Sequence, residues 1–264
     1  MNAATPRWIA FTREVSPTIT ECELTHLARA PIHVDVARAQ HRGYERLLVS
    51  LGCELRRVEP APAHPDAVFI EDMAVVLDEV AVIARPGAKS RRAEVTAVAA
   101  ALAPLRTLLR ITAPATLDGG DVLVIERSVY VGRTARTSEE GITQLRALLA
   151  PAGYQVFGVT VTNCLHLKSA VTALDATTVL LNPAWVEPSV FGGCRVVTVH
   201  PGEPTGANAM RVGDALVYDA SHPRTRERME HLGYAPHTVD ASELAKAEGA
   251  VTCCSLLLRA QRQG

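Results

Sequence analysis

The chain of 264 residues carries a net charge of -1 and a pI of about 6.8, so no overall electrostatic field draws it to nucleic acid or to an anionic membrane. With 48% hydrophobic and 21% charged residues, it has the composition of a compact protein that can bury a substantial core. Its first residues lack the apolar core of a signal peptide, and no apolar run approaches membrane-spanning length, which predicts a cytoplasmic protein. The six cysteines form no C-x-x-C pair, and we expect them to be thiols.

An apolar strand is predicted at residues 8–12. The polar segment 13–25 that follows it is either a mobile lid or a simple connection. Apolar residues at helical spacing predict a helix over residues 34–51 that ends before a glycine. Residues 53–58 then fit a strand, and three prolines between residues 60 and 65 exclude regular structure until residue 66.

Apolar strand pairs joined by tight turns recur along the rest of the chain. Four such hairpins begin at intervals of roughly 40 to 50 residues, a period typical of propellers and other repeat architectures. Helical segments follow three of them, and each leads into a further strand, so the repeating unit is strand, strand, helix, strand. The hairpins span residues 73–84, 121–132, 169–181 and 209–218, the helices span 88–102, 138–149 and 222–232, and the strands after them span 108–111, 154–159 and 236–239.

The last apolar run, residues 252–259, supplies a fifth hairpin if it pairs with residues 8–12. The sequence thus predicts an α/β fold of one domain, residues 1–264, in which five units close a ring. Ring closure would place the start of each hairpin near the central axis. The chemically active side chains in or next to these starts are Asp66, Glu71, Asp72, Asp118, Asp121, His166 and Cys253.

These side chains suit nucleophilic chemistry on a cation. A Cys beside a His is a common nucleophilic pair, because the imidazolium stabilises the thiolate and can protonate a leaving group. Several carboxylates aimed at one pocket repel each other unless a cation lies there, so the ligand is either a metal ion or an organic cation. Taken singly, residues 118–121 are also compatible with a turn, His166 with a core histidine and residues 71–72 with a solvated strand end.

Two adjacent cysteines, Cys253 and Cys254, lie in the apolar run 251–258, which we predict to be a strand. Successive side chains of a strand point to opposite faces, so both cannot enter one cleft. We expect one thiol to be buried and the other to be available for chemistry. The alternative is two small buried residues, because free cysteines are often found in protein cores.

Five short motifs, with a further one near the N-terminus, occur in a fixed order along the chain. They are FIEDMA at 69–74, RPGAKSRRAEV at 85–95, LDGGDVL at 117–123, LHLKS at 165–169 and TCCS at 252–255, preceded by VDVARA at 34–39. Together they resemble the dimethylarginine dimethylaminohydrolase family, a member of the guanidino-group-modifying superfamily with the pentein fold. The resemblance covers about residues 8–258, and five collinear motifs make it specific.

The resemblance implies a five-bladed α/β propeller of ββαβ units around a central, water-filled substrate channel. It also implies hydrolysis of Nω-methylated arginines, such as asymmetric dimethylarginine and monomethylarginine, to citrulline and dimethylamine or methylamine, without a metal or organic cofactor. By motif position, Cys253 would be the nucleophile that forms a covalent thiouronium intermediate. His166 would be the general acid and base, and Asp118 the carboxylate that orients the histidine.

A set of substrate contacts follows from the same resemblance. The guanidinium is expected between two carboxylates, the α-carboxylate between two arginines, and the α-amino group against a carboxylate and a lid carbonyl. Asp72 and Glu71 are expected to bind the guanidinium, and Arg91 and Arg136 the α-carboxylate. Asp66 and the backbone carbonyl of Leu24 are expected to bind the α-amino group. The backbone of Ala247 is expected to lie against the reacting end of the substrate. Segment 184–206 does not align with the family pattern and is expected to be a surface insertion or an oligomer contact.

Other functions are compatible with these residues. Arginine deiminase uses the same Cys, His and acidic residues, but that family usually carries an extra helical domain and is longer. Another guanidine such as agmatine is a further alternative substrate, although paired arginines favour a substrate that keeps its carboxylate. A non-catalytic guanidine-binding protein is a third possibility, but binding alone needs neither a thiolate nor an acid.

A zinc site built from Cys253, His166 and Asp118 is permitted by ligand type, whereas the carboxylates and a cationic substrate explain the residues without metal. We therefore expect a small-molecule partner, with no nucleic acid and no membrane. The expected assembly is a monomer or a homodimer. The preferred methylarginine is left open, because it depends on the packing around the guanidinium.

Overall fold

The fold is a ring of small sheets, seen in a computed structural model that describes residues 8–260. In each sheet the middle strand pairs antiparallel with its hairpin partner and parallel with a strand that returns after a crossover. This pairing is the predicted ββαβ unit. The strands are β1 (Trp8–Thr12), β2 (Cys53–Arg57), β3 (Ala74–Val76), β4 (Val80–Ile83), β5 (Thr107–Arg110), β6 (Val122–Ile125), β7 (Ser128–Arg133), β8 (Gln155–Thr160), β9 (Val171–Ala173), β10 (Thr178–Leu181), β11 (Arg195–Thr198), β12 (Ala209–Val212), β13 (Ala215–Asp219), β14 (His237–Val239) and β15 (Leu256–Arg259).

Five blades make up this ring within residues 8–260. Blade 1 is β15-β1-β2, blade 2 is β3-β4-β5, blade 3 is β6-β7-β8, blade 4 is β9-β10-β11 and blade 5 is β12-β13-β14. Blade 1 joins the two ends of the chain, since Trp8 pairs with Arg259 and Phe11 with Leu256. The fifth hairpin predicted from the sequence is therefore confirmed, and with it the five-bladed α/β propeller.

Helices connect the middle and outer strands of most blades. The longer helices are α1 (Val34–Ser50), α2 (Val95–Leu102), α3 (Glu139–Leu149) and α5 (Pro223–Glu230), and the short ones are α4 (Leu167–Ala170) and α6 (Ser242–Ala245). As predicted, Ser138 caps α3, its Oγ accepting a hydrogen bond from the Gly141 backbone N–H at 3.1 Å. Among residues 8–260, no helix combines the length and apolarity that a bilayer crossing requires.

Three predicted elements begin at least two residues later in the structure than predicted. Residues Lys89–Glu94 form a 3-10 turn before α2, because the side chains of Arg91 and Glu94 point inward and bond each other there. Residues 169–170 belong to α4 and precede their predicted strand. Residues 251–254 form a turn, so the strand that follows the two cysteines begins at Leu256.

Segment 184–206 is part of blade 4 and is not a surface insertion. Its 3-10 helix Pro188–Phe191 takes the place of the crossover helix and buries Phe191 in the core. Strand β11 then pairs in parallel with β10 over four residues. The helix ends at Gly192 after a single turn, so the segment has no helical period and the repeat is hidden in the sequence.

The first strands of the blades surround the propeller axis, where β15 contacts β3, β6 contacts β9 and β9 contacts β12. They enclose a cavity of about 310 Å³. At the end where the strands begin, its wall includes an ion pair between Glu71 and Lys168, whose Oε1 and Nζ atoms lie 2.5 Å apart. A central cavity is thus present, but Cys253, His166 and Asp118 are not among the residues that line it, and the ion pair stands between its wall and Cys253, whose carbonyl Glu71 binds.

Candidate active site

His166 lies immediately before α4 and between two carboxylates. Its Nε2 atom is 3.1 Å from Oδ2 of Asp118, and its Nδ1 atom is 3.8 Å from Oδ1 of Asp72. Burial opposes a charged imidazole, but Asp72, Asp121 and Asp118 outweigh it and raise the pKa of His166 to about 9. The histidine is therefore an imidazolium at neutral pH, with a proton to donate.

Asp72 is fixed from two sides by the protein itself. Its Oδ2 accepts a hydrogen bond from Nη1 of Arg91 at 2.5 Å, and its Oδ1 accepts one from the backbone N–H of Gly120 at 3.0 Å. Burial raises the pKa of Asp72, yet the charges of His166 and Arg91 outweigh it and hold this pKa below its ordinary value. Asp72 is therefore an anion that points to His166.

Arg91 is committed to the protein interior, in contrast to its predicted contact with a substrate carboxylate. Besides Asp72, its guanidinium donates to both carboxylate oxygens of Glu94 and to the backbone carbonyls of Asp66 and Phe69. The residue is only 4% exposed. Its charge therefore balances two buried carboxylates and holds the loop that contains Asp66.

Glu71 connects the nucleophile turn to the ring. Its carboxylate accepts hydrogen bonds from Nζ of Lys168 at 2.5 Å and from Oγ1 of Thr252 at 2.9 Å. Its backbone N–H donates to the carbonyl of Cys253 at 3.1 Å. Glu71 thus holds the residues on both sides of the peptide bond that precedes Cys253. Lys168 therefore pairs with the Glu71 carboxylate, which we predicted to bind the substrate guanidinium.

Cys253 and Cys254 differ in exposure, as the sequence predicts, although they lie in a turn and not in a strand. Cys254 is 1% exposed and packs in the core, while Cys253 is partly exposed. Burial raises the pKa of Cys253 to about 12, and the charges of Glu71 and Asp72 act in the same direction. Without a cation in the site, Cys253 is therefore a neutral thiol.

Two glycines allow this close approach of charged side chains. A Cβ atom on Gly120 would lie 2.6 Å from Nδ1 of His166 and 2.7 Å from Oδ1 of Asp72. A Cβ atom on Gly119 would lie 2.0 Å from the carbonyl oxygen of Glu71. All three distances are too short for any side chain, so the motif at 118–121 has a packing reason for each of its glycines.

Asp121 is a site residue whose role the sequence analysis missed. Its Oδ1 accepts the backbone N–H of Leu167 at 3.0 Å, and its Oδ2 accepts the hydroxyls of Thr134 and Thr137. Asp121 thereby fixes the residue next to His166. Burial raises its pKa to about 6, although the charge of His166 opposes this. The feature of the sequence that indicates a role for Asp121 is its place in the motif at 118–121.

An exposed stretch, residues 23–30, covers the site from the solvent side, and we call it the flap. Residues 13, 15, 16, 19 and 22 of the predicted lid are buried, so the flap covers only the last part of that segment and extends beyond it. The backbone N–H of Glu23 donates to Oδ2 of Asp66 at 3.1 Å. Oγ1 of Thr25 lies 3.3 Å from Nη2 of Arg136.

Of the remaining predicted binding residues, Leu24 belongs to the flap, and Asp66 and Arg136 contact its residues Glu23 and Thr25. Arg136 is 8% exposed, and its Nη1 lies 3.9 Å from Oδ2 of Asp118. Leu24 is half-buried and packs in the core cluster that includes Cys253 and Ala247. Asp66 is buried, which raises its pKa to about 6, against the lowering effect of Arg91. The structure therefore gathers the predicted residues in one region.

A metal ion would find three ligand atoms here, since one atom each from Asp72, Asp118 and His166 lie within 4.8 Å of one another. This set overlaps the predicted zinc site in two members but contains Asp72 in place of Cys253. A metal requires neutral imidazole, whereas the pKa of His166 is raised to about 9. The charges of His166 and Arg91 already offset those of Asp72 and Asp118, which weakens the attraction of these three ligand atoms for a metal ion.

Comparison with known proteins gives the family. The model of the arginine deiminase family matches residues 62–200. The N(G),N(G)-dimethylarginine dimethylaminohydrolase of Streptomyces coelicolor is 44% identical over 253 residues, which cover 95% of this chain and 96% of that protein. The chain belongs to the dimethylarginine dimethylaminohydrolase family. The enzyme of the same name from Pseudomonas aeruginosa is 33% identical, with 84% of this chain and 89% of that protein covered.

Solved structures of the dimethylarginine dimethylaminohydrolase family agree with the fold. The Pseudomonas aeruginosa enzyme, a cysteine-to-serine mutant complexed with citrulline, superposes with a TM-score of 0.90 at 30% identity and covers 94% of this chain and 98% of that one. The N-terminal domain of ArgZ, an arginine dihydrolase, superposes with a TM-score of 0.86 at 17% identity and shows likeness of fold alone. The family and the pentein fold inferred from the motifs are thus confirmed.

Proposed function

We propose that this protein hydrolyses Nω-methylated arginines to citrulline and dimethylamine or methylamine. The observation that carries the proposal is the charged His166, held between Asp118 and Asp72, whose neighbour Glu71 binds the backbone carbonyl of the partly exposed Cys253. The family relatives named for this reaction support it. The fold provides a nucleophile, an acid and an anionic pocket for a cation, which are the three groups that the reaction needs.

The first chemical step depends on the charge of the substrate. Cys253 is a thiol because burial raises its pKa and because Glu71 and Asp72 oppose a third negative charge beside them. A bound guanidinium adds a positive charge there, lowers the thiol pKa and favours loss of its proton to solvent. The thiolate then adds to the guanidinium carbon. This makes binding of the substrate a condition for activation of the nucleophile.

His166 completes the reaction by moving a proton twice. The tetrahedral adduct collapses as its C–N bond breaks, and the leaving amine takes the proton of His166. A thiouronium remains on Cys253. The neutral His166 then removes a proton from a water molecule that attacks the same carbon, and the C–S bond breaks to release citrulline and regenerate the thiol. Asp118 keeps the imidazole oriented through both steps.

We assign recognition of the amino-acid end to the flap side of the site. Arg136 binds the α-carboxylate, and Asp66 with the backbone carbonyl of Leu24 binds the α-amino group. The backbone of Ala247 lies against the reacting end. The role of Arg91 differs from the prediction, because its hydrogen bonds leave it to position Asp72 and not to clamp the substrate. Glu71 contacts the guanidinium only if its carboxylate binds Lys168 and the substrate at the same time.

The proposal is tested by citrulline formation from purified protein treated with a chelator. Asymmetric dimethylarginine, monomethylarginine and arginine are offered separately, and we expect turnover of the methylated substrates. Activity on arginine alone would instead indicate a deiminase. No turnover of any of the three, with binding of arginine analogues intact, would favour a guanidine-binding protein.

The adjacent cysteines provide a matched pair of variants. We expect Cys253→Ser to reduce kcat by at least about 10³-fold and to retain binding of citrulline, because an alcohol is a far weaker nucleophile than a thiolate. Cys254→Ser should keep kcat within about threefold and lower the melting temperature, since it puts a hydroxyl into the core. Full activity of the Cys253 variant would refute the assignment.

A further inference from the structure

The carboxylate of Glu248 accepts hydrogen bonds from three consecutive backbone N–H groups of the flap. The N–H of Thr25 donates to Oε2 at 2.9 Å, and those of His26 and Leu27 donate to Oε1 at 2.5 and 2.7 Å. Hydrogen bonds to an ionised acceptor are about twice as strong as neutral ones. One side chain thus satisfies most of the backbone donors at the centre of the flap.

Glu248 occupies a backbone position that normally selects glycine. The C-terminus of α6 closes with two hydrogen bonds, from the N–H of Glu248 to the carbonyl of Ala245 and from the N–H of Gly249 to the carbonyl of Leu244, both at 3.1 Å. This is the Schellman arrangement, whose left-handed residue is most often glycine. Glu248 has that conformation, with φ of 58°. A side chain is therefore kept where the backbone would favour none.

The turn that carries Glu248 is also the one that leads to the nucleophile. Gly249 presses on Phe69 so closely that a Cβ atom would lie 2.1 Å from Cε1 of the ring. The carbonyl of Phe69 in turn accepts a hydrogen bond from Arg91. The turn is thus fixed to the loop that holds Asp66 and lies five residues before Cys253. The position of Glu248 is therefore fixed relative to the site residues Asp66 and Cys253.

The backbone N–H groups that donate to Glu248 lie next to the proposed substrate-binding residues. Leu24, whose carbonyl we assign to the α-amino group, immediately precedes the first of them. Thr25 itself contacts Arg136, which we assign to the α-carboxylate. Glu23 donates to Asp66 on the other side of Leu24. The flap is therefore anchored on both sides of Leu24, and among these anchors Glu248 is the one attached to the nucleophile turn.

We propose that Glu248 is a positioning residue that latches the flap over the bound amino acid and so sets the affinity for substrate. The inference rests on the proposed function, since it assigns the latch to the same site. Without the carboxylate, three backbone donors lose their acceptor and exchange it for water. The closed flap then becomes a smaller fraction of the population, and the apparent affinity falls by that fraction.

Substitution by glycine separates the latch from folding. Glu248→Gly removes the carboxylate and at the same time relieves the left-handed backbone, so the melting temperature should stay unchanged or rise. Glu126→Gly is the matched control, because Glu126 is also a glutamate with positive φ, at 52°, and lies exposed in the turn between β6 and β7. Glu248→Asp keeps the charge on a shorter side chain and serves as the conservative variant.

Two readouts are needed. Hydrogen exchange followed by NMR or mass spectrometry should show the amides of residues 25–27 exchanging about tenfold faster in Glu248→Gly, with the control at the wild-type rate. With asymmetric dimethylarginine, KM should rise about tenfold while kcat changes less than about twofold, and Glu248→Asp should lie between wild type and Glu248→Gly in both readouts.

Unchanged exchange at residues 25–27, or faster exchange with an unchanged KM, would overturn the latch. A failure of the wild-type protein to form citrulline from any methylarginine would refute the proposed function instead. In that case the exchange rates, together with citrulline affinity by calorimetry, decide on the latch. Weaker citrulline binding by Glu248→Gly than by the control supports it, and equal binding refutes it.

Discussion

The charge on His166 is set by carboxylates that reach it from separate parts of the chain. Asp72 comes from blade 2, and Asp118 and Asp121 come from the turn that begins blade 3. Their combined effect outweighs burial and raises the pKa of His166 to about 9, from an ordinary 6.5. Because the pKa is higher in the folded protein, this charge stabilises the fold fully below about pH 6.5, and the contribution is lost as the pH rises through about 9.

Asp121→Asn tests this charge balance with little change in shape. The amide can keep the acceptor for the Leu167 N–H, while the hydroxyls of Thr134 and Thr137 can turn to accept from its NH₂ group. Loss of the negative charge should lower the pKa of His166. The alkaline decline of kcat/KM, which we assign to that group, should therefore move to lower pH by about one unit.

The measurement is a pH profile of citrulline formation between about pH 6 and 10, with Asp35→Asn as the control, because Asp35 is exposed on α1. An alkaline limb at the same pH in all three proteins would show that the charge of Asp121 does not influence the group that titrates. A fall in kcat without a shift of the limb would give Asp121 a purely structural role.

Residue-level prediction from sequence worked where a motif is local and failed where a contact is distant. The motifs contain Cys253, His166 and Asp118, and the structure brings the last two within hydrogen-bonding distance. Nothing in the local pattern shows that Glu248 binds the backbone of residues 25–27, since these segments are far apart in sequence. For the same reason the bonds of Arg91 were not foreseen.

At the level of elements, the 3-10 turn Lys89–Glu94 is held by buried charges and not by an apolar face. Arg91 is bound to Asp72 and Glu94, and Glu94 is also 3.8 Å from the buried Arg13. These four side chains link the end of β1 to the site. A network of this kind is costly to break, because the partner that remains keeps its charge in the interior.

Arg91→Met should therefore lower the free energy of unfolding by about 3 to 5 kcal/mol, since Asp72 and Glu94 lose their shared partner. Urea denaturation followed by circular dichroism measures the change. Lys89→Met, at an exposed position of the same turn, is the control and should change stability by less than about 0.5 kcal/mol. A loss in Arg91→Met no larger than in the control would mean that the network does not stabilise the fold.

Helix and strand periodicity was sufficient for most of the blades and insufficient for two features. In α1 the apolar positions gave the right span, but its buried side also includes His41, Tyr44 and Glu45, whose polar groups the pattern did not mark. In blade 4 the crossover is the short 3-10 helix Pro188–Phe191, which has no helical period to detect. Tertiary contacts, and not local propensity, decide both cases.

On the scale of the whole molecule, the ring is closed by pairing of the first and last strands, β1 and β15. A buried side chain, Arg106, reinforces that closure across blades 1 and 2. Its guanidinium donates to the carbonyls of Leu77, Leu105 and Arg259 at 2.9, 2.8 and 2.7 Å. Because each blade packs between two others, we propose that residues 1–264 unfold as one domain.

The two tryptophans allow a direct test, since Trp8 lies in blade 1 and Trp185 in blade 4. In Trp185→Phe the fluorescence reports on blade 1, and in Trp8→Phe it reports on blade 4. Arg106→Met should lower stability by about 2 to 4 kcal/mol, because it leaves buried carbonyls without a donor. If the ring unfolds as a unit, urea curves from both probes should coincide and shift together.

Arg110→Met, at an exposed position of β5, is the matched control and should leave both curves in place. A shift confined to the Trp8 signal would mean that blade 1 opens on its own while blade 4 stays folded, which contradicts a single domain. Such opening would also separate β15 from β1 and release the turn that carries Cys253. If activity were then lost at the same urea concentration as the Trp8 signal, pairing of β1 with β15 would be the interaction that keeps Cys253 in the site.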